Sequence, residues 1–189
     1  YKRQFTDGSA SKRPLWRESE RSGFAAVMED VDGAYGVRGR WLGLYGTVPG
    51  DQSSPRAELY AIYMVILNGV GEIRIHTDHL NHVLCFWAGE AWCMAKRDRP
   101  NLDIWRWIWA LVGSYGQDLI KLFWVKGHAK ESRWETEWDE WKRLGNHAAD
   151  GHADAGRLLH EVSPDDVGCM EFLAAGIKTQ CDWLGKVHR

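Results

Sequence analysis

Residues 54–78, SPRAELYAIYMVILNGVGEIRIHTD, decide the fold class of this chain. Ser54 is a suitable N-cap and Gly69 a suitable helix end, which predicts an apolar, buried helix over Pro55–Asn68. The residues that follow predict a strand over Glu72–Thr77. Because a whole helix separates this strand from the strands before it, it must pair with one of them in parallel. The stretch therefore predicts an α/β fold.

The region before this stretch has the pattern of an antiparallel meander. Strands are predicted over Gln4–Asp7, Gly23–Glu29 and Ala34–Tyr45, and Asp32-Gly33 is a hairpin turn signal. The polar segment Ser9–Ser22 predicts a loop that is longer than a tight hairpin needs. Long loops beside strands often serve function.

The region after it alternates helices with one more strand. Helices over His79–Trp92 and Leu102–Ser114 lead to a strand over Leu119–Val125, and further helices follow over Asn146–His160 and Pro164–Lys186. The sum is a five-stranded mixed sheet, with three antiparallel strands and then two parallel ones. Helices flank this sheet, and an extra helix extends the C-terminus.

Length and composition fit one folded domain with an extension. A chain of 189 residues with 44% hydrophobic content can bury a sizeable core. We expect a main domain over residues 1–160 and a helical extension over residues 161–189 that packs on it. No apolar run approaches the roughly 18 residues of a membrane span, so we expect a soluble chain without a membrane partner. The first strand begins at once, as though the domain were cut from a longer polypeptide.

Cysteine usage and net charge give weaker indications. The four cysteines contain no Cys-x-x-Cys pair, which favours a reducing intracellular compartment, the cytoplasm or the nucleus. The net charge of −2 argues against a general polyanion binder, although the basic residues are clustered along the chain.

Four acidic residues stand in separate local frames: Asp7, Glu58, Asp78 and Asp150. Taken singly, each would be a cap or a solvated charge. Carboxylates that are brought together repel one another and require cations. Oxygen-only ligation selects Mg²⁺ or Mn²⁺ rather than zinc. A pair of such ions about 4 Å apart can activate a water and stabilise the leaving oxygen in phosphodiester hydrolysis.

Six short motifs follow one another along the chain: Phe5-Thr6-Asp7-Gly8-Ser9, Arg56-Ala57-Glu58-Leu59, Thr77-Asp78, Asn101-Leu102-Asp103-Ile104-Trp105, Trp124-Val125-Lys126-Gly127-His128-Ala129 and Gly145-Asn146-x-x-Ala149-Asp150. In their order and spacing they are similar to type 1 ribonuclease H, which the chain resembles over roughly residues 4–158. The resemblance implies a ribonuclease H-like fold and a catalytic role for the main domain. The Arg-Ala-Glu-Leu helix start is similar to retroelement versions, in which this domain follows a reverse transcriptase.

The same resemblance implies an activity and its residues. The enzyme would cut the RNA strand of RNA/DNA hybrids and leave 5′-phosphate and 3′-hydroxyl ends. Asp7, Glu58, Asp78 and Asp150 would hold two Mg²⁺ ions, which Mn²⁺ can replace, with Asp7 bridging both. His128 would assist proton transfer and product release.

Nucleic-acid contacts are implied as well. Ser54 stands where the family commonly has an amide that reads RNA 2′-hydroxyls, and Asn81 could reach a minor-groove edge. The segment Ala95–Pro100 lies where some members carry a basic protrusion, so its basic residues could contact phosphates in a salt-sensitive way. The full set of expected contacts is Ser9, Ser54, Arg56, Asn81, Lys96, Arg97, Arg99 and Lys130.

Several alternatives stay open. A nuclease of this fold that acts on duplex DNA or double-stranded RNA would keep the carboxylates and change the 2′-hydroxyl readers, as the altered stretch Gln52–Ser54 allows. A non-catalytic nucleic-acid-binding module would typically lose acidic residues, and all of them are present. His76, His79 and His82 have a spacing that suggests zinc, although they need not converge. The Trp-rich segment 131–144 is either a helix packed on the outer surface or a mobile flap that covers the site or stacks on nucleic acid.

Overall fold

The computed structural model describes residues 2–11, 20–31, 40–132, 135–160 and 163–187. Its centre is a five-stranded sheet with the strand order β3-β2-β1-β4-β5. The strands are β1 (Lys2–Ala10), β2 (Ser22–Asp30), β3 (Arg40–Thr47), β4 (Ile73–Thr77) and β5 (Ile120–Trp124). β2 pairs with β1 and with β3 in the antiparallel sense, whereas β4 pairs in parallel with β1 and with β5. The predicted fold class and mixed sheet are confirmed.

Six helices are present in the described part of the chain, together with a short 3₁₀ turn over Gln117–Leu119. They are α1 (Ser54–Asn68), α2 (Leu80–Ala88), α3 (Glu90–Met94), α4 (Leu102–Tyr115), α5 (Glu137–Leu158) and α6 (Pro164–Val187). α1 and α4 pack against each other, and α5 packs against β1, β2 and β3. The candidate site lies where α1 and α5 both approach β1.

The first hairpin is longer than its sequence pattern predicts. Ser9 pairs with Gly23 and Ala10 pairs with Ser22, so both strands extend into the segment that we assigned to a loop. The predicted turn Asp32-Gly33 and the first part of the predicted third strand lie outside the described residues. β3 continues two residues beyond the predicted end.

Two predicted helices have different boundaries in the structure. The single helix expected over residues 79–92 is divided at Gly89, whose φ of +90° is incompatible with a right-handed helix and separates α2 from α3. In contrast, α5 runs without a break through Gly145 and joins two segments that the sequence separated. A β-carbon at Gly145 would lie 2.2 Å from the Phe5 ring, so the glycine allows α5 to approach β1 closely.

One face of the sheet is covered by aliphatic side chains. The fully buried members come from α1, α4 and the two parallel strands β4 and β5: Leu59, Ile62, Ile66, Ile73, Ile75, Ile104, Ile108, Ile120 and Leu122. Burial of this many branched side chains is the main source of stability for the fold.

The opposite face carries a row of aromatic rings, one from each of four strands. We call this row the aromatic ladder: Trp41 on β3, Phe5 on β1, His76 on β4 and Phe123 on β5. Neighbouring ring centroids are 5.5, 5.0 and 5.2 Å apart along the row. His76 is thus a packed ring between two phenylalanines. It is not part of the acidic cluster that could hold a metal ion among the described residues, so the zinc alternative gains no support.

The N-terminal half of α5 covers the ladder. Trp141 lies 4.6 Å from Phe5 between centroids, stacks on Trp138 at 4.8 Å, and donates its ring N–H to Glu29 at 2.9 Å. The Trp-rich segment is therefore a packed helix from Glu137 onward, and Trp134 lies outside the described residues.

α6 forms the C-terminal extension. It contributes no residue to the hydrophobic clusters of the described chain, and Phe172 is 79% exposed. The division into residues 1–160 and 161–189, with the extension packed on the main domain, stays a prediction. No helix in the described ranges is both long and apolar enough to cross a lipid bilayer.

Candidate metal centre

Three of the predicted acidic residues meet in space. One ligand atom from each of Asp7, Glu58 and Asp78 lies within 4.8 Å of the others. Asp7 is in β1, Asp78 follows β4, and these strands are parallel neighbours in which Thr6 is paired with Thr77. The register therefore places both aspartates at the same level of the sheet, and Glu58 reaches them from the first turns of α1.

Gly8 allows α1 to approach β1. A β-carbon on Gly8 would lie 2.3 Å from the backbone nitrogen of Glu58, so any larger residue at this position would clash with α1. The Gly8 N–H donates to Asp7 Oδ1 at 2.7 Å, and the Ser54 hydroxyl donates to the Gly8 carbonyl at 3.2 Å. α1 begins at Ser54, one residue before the predicted start, and Ser53 occupies the N-cap position. Ser54 therefore joins the helix to the strand.

Asp78 is held by residues that the sequence pattern did not assign to the site. The ring N–H of Trp124 donates to the Asp78 carbonyl at 3.0 Å, and the Asn146 side chain donates a hydrogen bond to the Asp78 carboxylate. A β-carbon on Gly127 would lie 2.2 Å from Asp78 Oδ2, so this loop passes directly over the carboxylate. All three residues stand inside the quoted motifs, and that position was the available signal.

Asp150 and His128 form the outer side of the site. Asp150 lies one turn after Asn146 on α5, and its negative charge acts on Asp7. His128 Nδ1 is 3.9 Å from Asp150 Oδ2, and the His128 side chain is 81% exposed. His128 adopts a left-handed backbone conformation with φ of +47°. Asp150 is therefore adjacent to the three-carboxylate cluster and is not one of its members.

Burial and mutual repulsion disfavour the charged forms of these carboxylates. Burial, opposed by a hydrogen bond from Glu58 and reinforced by the charge of Asp78, raises the pKa of Asp7 to about 6. Burial and the neighbouring Asp7 raise the pKa of Glu58 well above its ordinary value, and burial also raises the pKa of Asp78. Cations bound at this position would favour the charged carboxylates and so oppose all three shifts.

The donor set fits a hard divalent cation. Every candidate ligand atom is a carboxylate oxygen, the type that Mg²⁺ and Mn²⁺ prefer. Glu58 Oε2 is buried and has no hydrogen-bond partner in the described part of the chain. A buried acceptor without a partner is unfavourable, and a bound cation would satisfy it.

The structure turns Arg56 inward, in contrast to the expected nucleic-acid contact. Its guanidinium donates to the Pro49 carbonyl at 2.7 Å and to both carboxylate oxygens of Asp103, at 3.0 and 2.6 Å. The Arg56 side chain is only 8% exposed, and its hydrogen bonds hold the pKa of Asp103 below the ordinary value. Arg56 thus ties α1 to α4 two residues before Glu58, and its contact with nucleic acid stays a prediction.

The other expected nucleic-acid contacts lie at the surface to different degrees. The Ser9 hydroxyl donates to Asp154 at 2.5 Å. Arg99 stacks on Trp92, with its guanidinium carbon 3.9 Å from the ring centroid, and donates to the Trp92 carbonyl. The remaining side chains are exposed and stay predictions: Ser54, Asn81, Lys96, Arg97 and Lys130.

Comparisons with known proteins address the whole arrangement. Residues 2–157 match the family model of RNase H. The fold is similar to the solution structure of the PFV RNase H domain, with 21% identity, a TM-score of 0.59 and coverage of 84% of this chain and 94% of that one. No curated protein is a significant sequence match.

Longer proteins contain the same fold. The native prototype foamy virus protease-reverse transcriptase matches with 21% identity and a TM-score of 0.60, covering 82% of this chain and 20% of that one. The foamy viral protease-reverse transcriptase in complex with an RNA/DNA hybrid matches with 18% identity and a TM-score of 0.58, covering 84% and 20%. This chain thus spans about 20% of the length of those enzymes.

Proposed function

This chain belongs to the RNase H family, and from that premise we propose that it hydrolyses the RNA strand of RNA/DNA hybrids, leaving 5′-phosphate and 3′-hydroxyl ends. The observation that carries the proposal is the buried cluster of Asp7, Glu58 and Asp78, whose ligand atoms lie within 4.8 Å of one another. Their raised pKa values and the unpartnered Glu58 oxygen suit a site that works with cations bound.

Asp7, Glu58, Asp78 and Asp150 would hold two Mg²⁺ ions, and Mn²⁺ would substitute for them. When bound, these ions would acidify a water and neutralise the charge that develops on the phosphate being cut. Trp124 and Asn146 keep Asp78 in place through its carbonyl and its carboxylate. Fixed ligands of this kind lower the cost of reorganisation during the reaction.

His128 would transfer the proton. Its ring is exposed, and Nδ1 faces Asp150 at 3.9 Å, so the carboxylate can orient the imidazole. An imidazole that is free on its other side can give a proton to a leaving oxygen and take one back. The exposed position also suits a residue that assists product release.

The substrate and partner follow from exposed residues and from the related enzymes. Ser9, Ser54 and Asn81 would read 2′-hydroxyls in the wide minor groove, and the basic residues Lys96, Arg97, Arg99 and Lys130 would contact phosphates. A related protease-reverse transcriptase is known in complex with an RNA/DNA hybrid. We propose that this chain likewise acts beside a reverse transcriptase domain. Its four free thiols suit a reducing intracellular compartment.

Cleavage of three end-labelled substrates in Mg²⁺ tests the proposal: RNA/DNA hybrid, RNA duplex and DNA duplex. We expect the hybrid alone to be cut, with a 5′-phosphate on the product, and we expect Asp78→Asn to abolish cutting. The exposed Asp118→Asn is the matched control, since it removes one acidic charge away from the site. Cutting of either duplex would favour the alternative nuclease, and binding of the hybrid without cutting in Mg²⁺ or Mn²⁺ would favour a binding module.

A further inference from the structure

A cleft adjoins Asp150 on α5. Its volume is about 180 Å³, and its lining includes Lys126, His128, Arg143, Asn146, His147 and Asp150. The volume is sufficient for a phosphate group, because one water takes about 30 Å³ in the liquid. Asn146 is common to the cleft and to the metal centre, since the same side chain bonds Asp78. The cleft therefore adjoins the candidate reaction centre.

The lining of this cleft is basic. Lys126 and Arg143 carry positive charge, and Asp150 is the one acidic residue in the described lining. Glu135, Glu131 and Glu140 act on Arg143 from outside the lining. The centre beside it, by contrast, is made of carboxylates. The sign of the charge therefore changes across the Asn146 side chain. The carboxylates on one side suit cations, and the basic groups on the other side suit an anion.

Arg143 is positioned for a ligand. Its Nε donates to both carboxylate oxygens of Glu135, at 2.9 and 3.3 Å. Both bonds use the same nitrogen, so within the described residues the two terminal nitrogens are left for a ligand. The Arg143 side chain is 20% exposed, which means that packing already restricts its orientation. A guanidinium held in this way matches the paired oxygens of a phosphate.

We propose that this cleft binds a backbone phosphate of the nucleic-acid strand, adjacent to the phosphate at which the strand is cut. Arg143 and Lys126 would bind it, with His147 at the rim of the cleft. This inference rests on the proposed function for the identity of the strand. The binding of phosphate itself does not rest on the proposed function, because the same groups would also bind a free phosphate ion. Occupation of the cleft would fix the strand relative to Asp78 and Asp150, so this contact should affect binding more than the chemical step.

The first test uses inorganic phosphate and the metal-free protein. In a titration followed by NMR, we expect saturable shifts of the Arg143 side-chain signal and of the Lys126 and His147 amides. Lys126→Ala and Arg143→Ala should each abolish saturation, whereas Arg106→Ala, which removes an exposed charge on α4, should leave it unchanged. Lys126→Ala matters most, since Arg143→Ala also breaks the ion pair with Glu135. Equal shifts in sodium chloride of the same ionic strength would overturn the proposal.

The second test uses the RNA/DNA hybrid. In an Asp78→Asn background, Lys126→Ala should weaken hybrid binding about tenfold at low salt and reduce the slope of log K against log salt by about 1. With Asp78 intact, the same change should raise KM and leave kcat within about twofold. An unchanged salt slope would exclude a strand phosphate as the ligand of the cleft, and free phosphate would then be the remaining candidate ligand.

The two proposals fail in different ways. If the hybrid is cut but neither the phosphate titration nor the salt slope responds to Lys126→Ala, the cleft is not a phosphate site and the enzyme assignment stands. If phosphate binds in the cleft but no hybrid is cut in Mg²⁺ or Mn²⁺, the anion site stands as phosphate chemistry and the nuclease assignment fails.

Discussion

The aromatic ladder and the two aspartates of the metal centre use the same two chain segments, only two residues apart. Phe5 precedes Asp7 on β1, and His76 precedes Asp78 after β4, so alternation directs each pair to one side of the sheet. The ladder is satisfied by ring contacts, whereas the carboxylates are buried against one another with raised pKa values. Adjacent positions on one strand can thus serve stability and function separately.

The helix α5 shows the same division along its length. Its first two turns place Trp138 and Trp141 on the ladder, and its middle places Asn146 and Asp150 at the metal centre. Changes at the two tryptophans should therefore reduce stability with little direct effect on chemistry. Changes at Asn146 and Asp150 should instead reduce activity with less effect on stability.

Glu58→Gln should give the largest difference between an effect on activity and an effect on stability. We expect hybrid cleavage in Mg²⁺ to fall by about 10³-fold or more, because a ligand that neutralises cation charge is lost. The free energy of unfolding of the metal-free protein should stay the same or rise by about 1 kcal/mol, since Glu58 is a buried group with an unpartnered oxygen. Kinetic assays and urea unfolding measure both effects. Glu171→Gln, on the exposed side of α6, is the control, and cleavage by Glu58→Gln within tenfold of wild type would contradict the assignment.

Trp141→Ala should affect the ladder alone. We expect it to lower the free energy of unfolding by about 3 kcal/mol, because the ring packs on Phe5, Trp41 and Trp138. Activity per folded molecule, measured at low temperature, should stay within a few-fold of wild type. Phe172→Ala is the matched aromatic control, since its ring is 79% exposed. Equal destabilisation by the two changes would argue against the packing described for α5.

Gly145→Ala should affect both regions at once. The new β-carbon would lie 2.2 Å from the Phe5 ring, so α5 must move away from β1. We expect a loss of about 2 kcal/mol in unfolding free energy, with reduced activity because Asn146 and Asp150 move with the helix. Gly151→Ala in the same helix has open space around it and should instead stabilise the protein by up to about 1 kcal/mol. Thermal unfolding of the two variants makes the comparison, and a loss at both positions would contradict it.

The pH dependence of stability should have opposite signs in the two regions. The pKa of Asp7 is raised from 3.8 to about 6, so without metal the folded state retains a proton that the unfolded state releases, and stability falls as pH rises from about 4 to 6. Burial and the nearby charge of Arg3 lower the pKa of His76 from 6.5 to about 4, so the unfolded state binds the proton first and stability falls as pH decreases from 6.5 to 4.

Urea unfolding between pH 4 and 8 separates these two contributions, each of about 3 kcal/mol at most. His76→Phe should remove the loss at acid pH, and saturating Mg²⁺ should remove the loss at higher pH because bound cations replace the proton and stabilise the folded state. Conversely, a His76→Phe profile identical to that of wild type would show that His76 is not the group responsible.

Trp124→Phe should have the smallest effect. It retains the ring and removes the N–H that donates to the Asp78 carbonyl. We expect the Mg²⁺ concentration for half-maximal cleavage to rise a few-fold, which corresponds to about 1 kcal/mol for one lost hydrogen bond. The unfolding temperature should change little, since the Trp124 side chain is 50% exposed. Trp107→Phe, at another exposed position, is the control, and a similar Mg²⁺ requirement in both variants would dissociate Trp124 from the metal centre.

The elements and the candidate site were predictable to different degrees. The helix over residues 55–68 and the strand over residues 72–77 agree closely with α1 and β4, because caps and alternation are local signals. The continuous α5 was not predicted, because a glycine inside a helix weakens the local pattern. Only the close contact with Phe5, which is distant in the sequence, explains the glycine at this position. The break at Gly89 was missed because periodicity continued across it.

Local sequence was enough to specify α1, β4 and the chemical types of Asp7, Glu58 and Asp78, because each depends on neighbours within a few residues. How these groups are held in place depends only on packing between segments that are distant in the sequence. Trp124 meets Asp78 across 46 positions, and Arg56 turns to Asp103 across 47. Contacts of that length depend on strand order and helix approach, which no local pattern encodes, and they determine which side chains serve the metal centre and which support the fold.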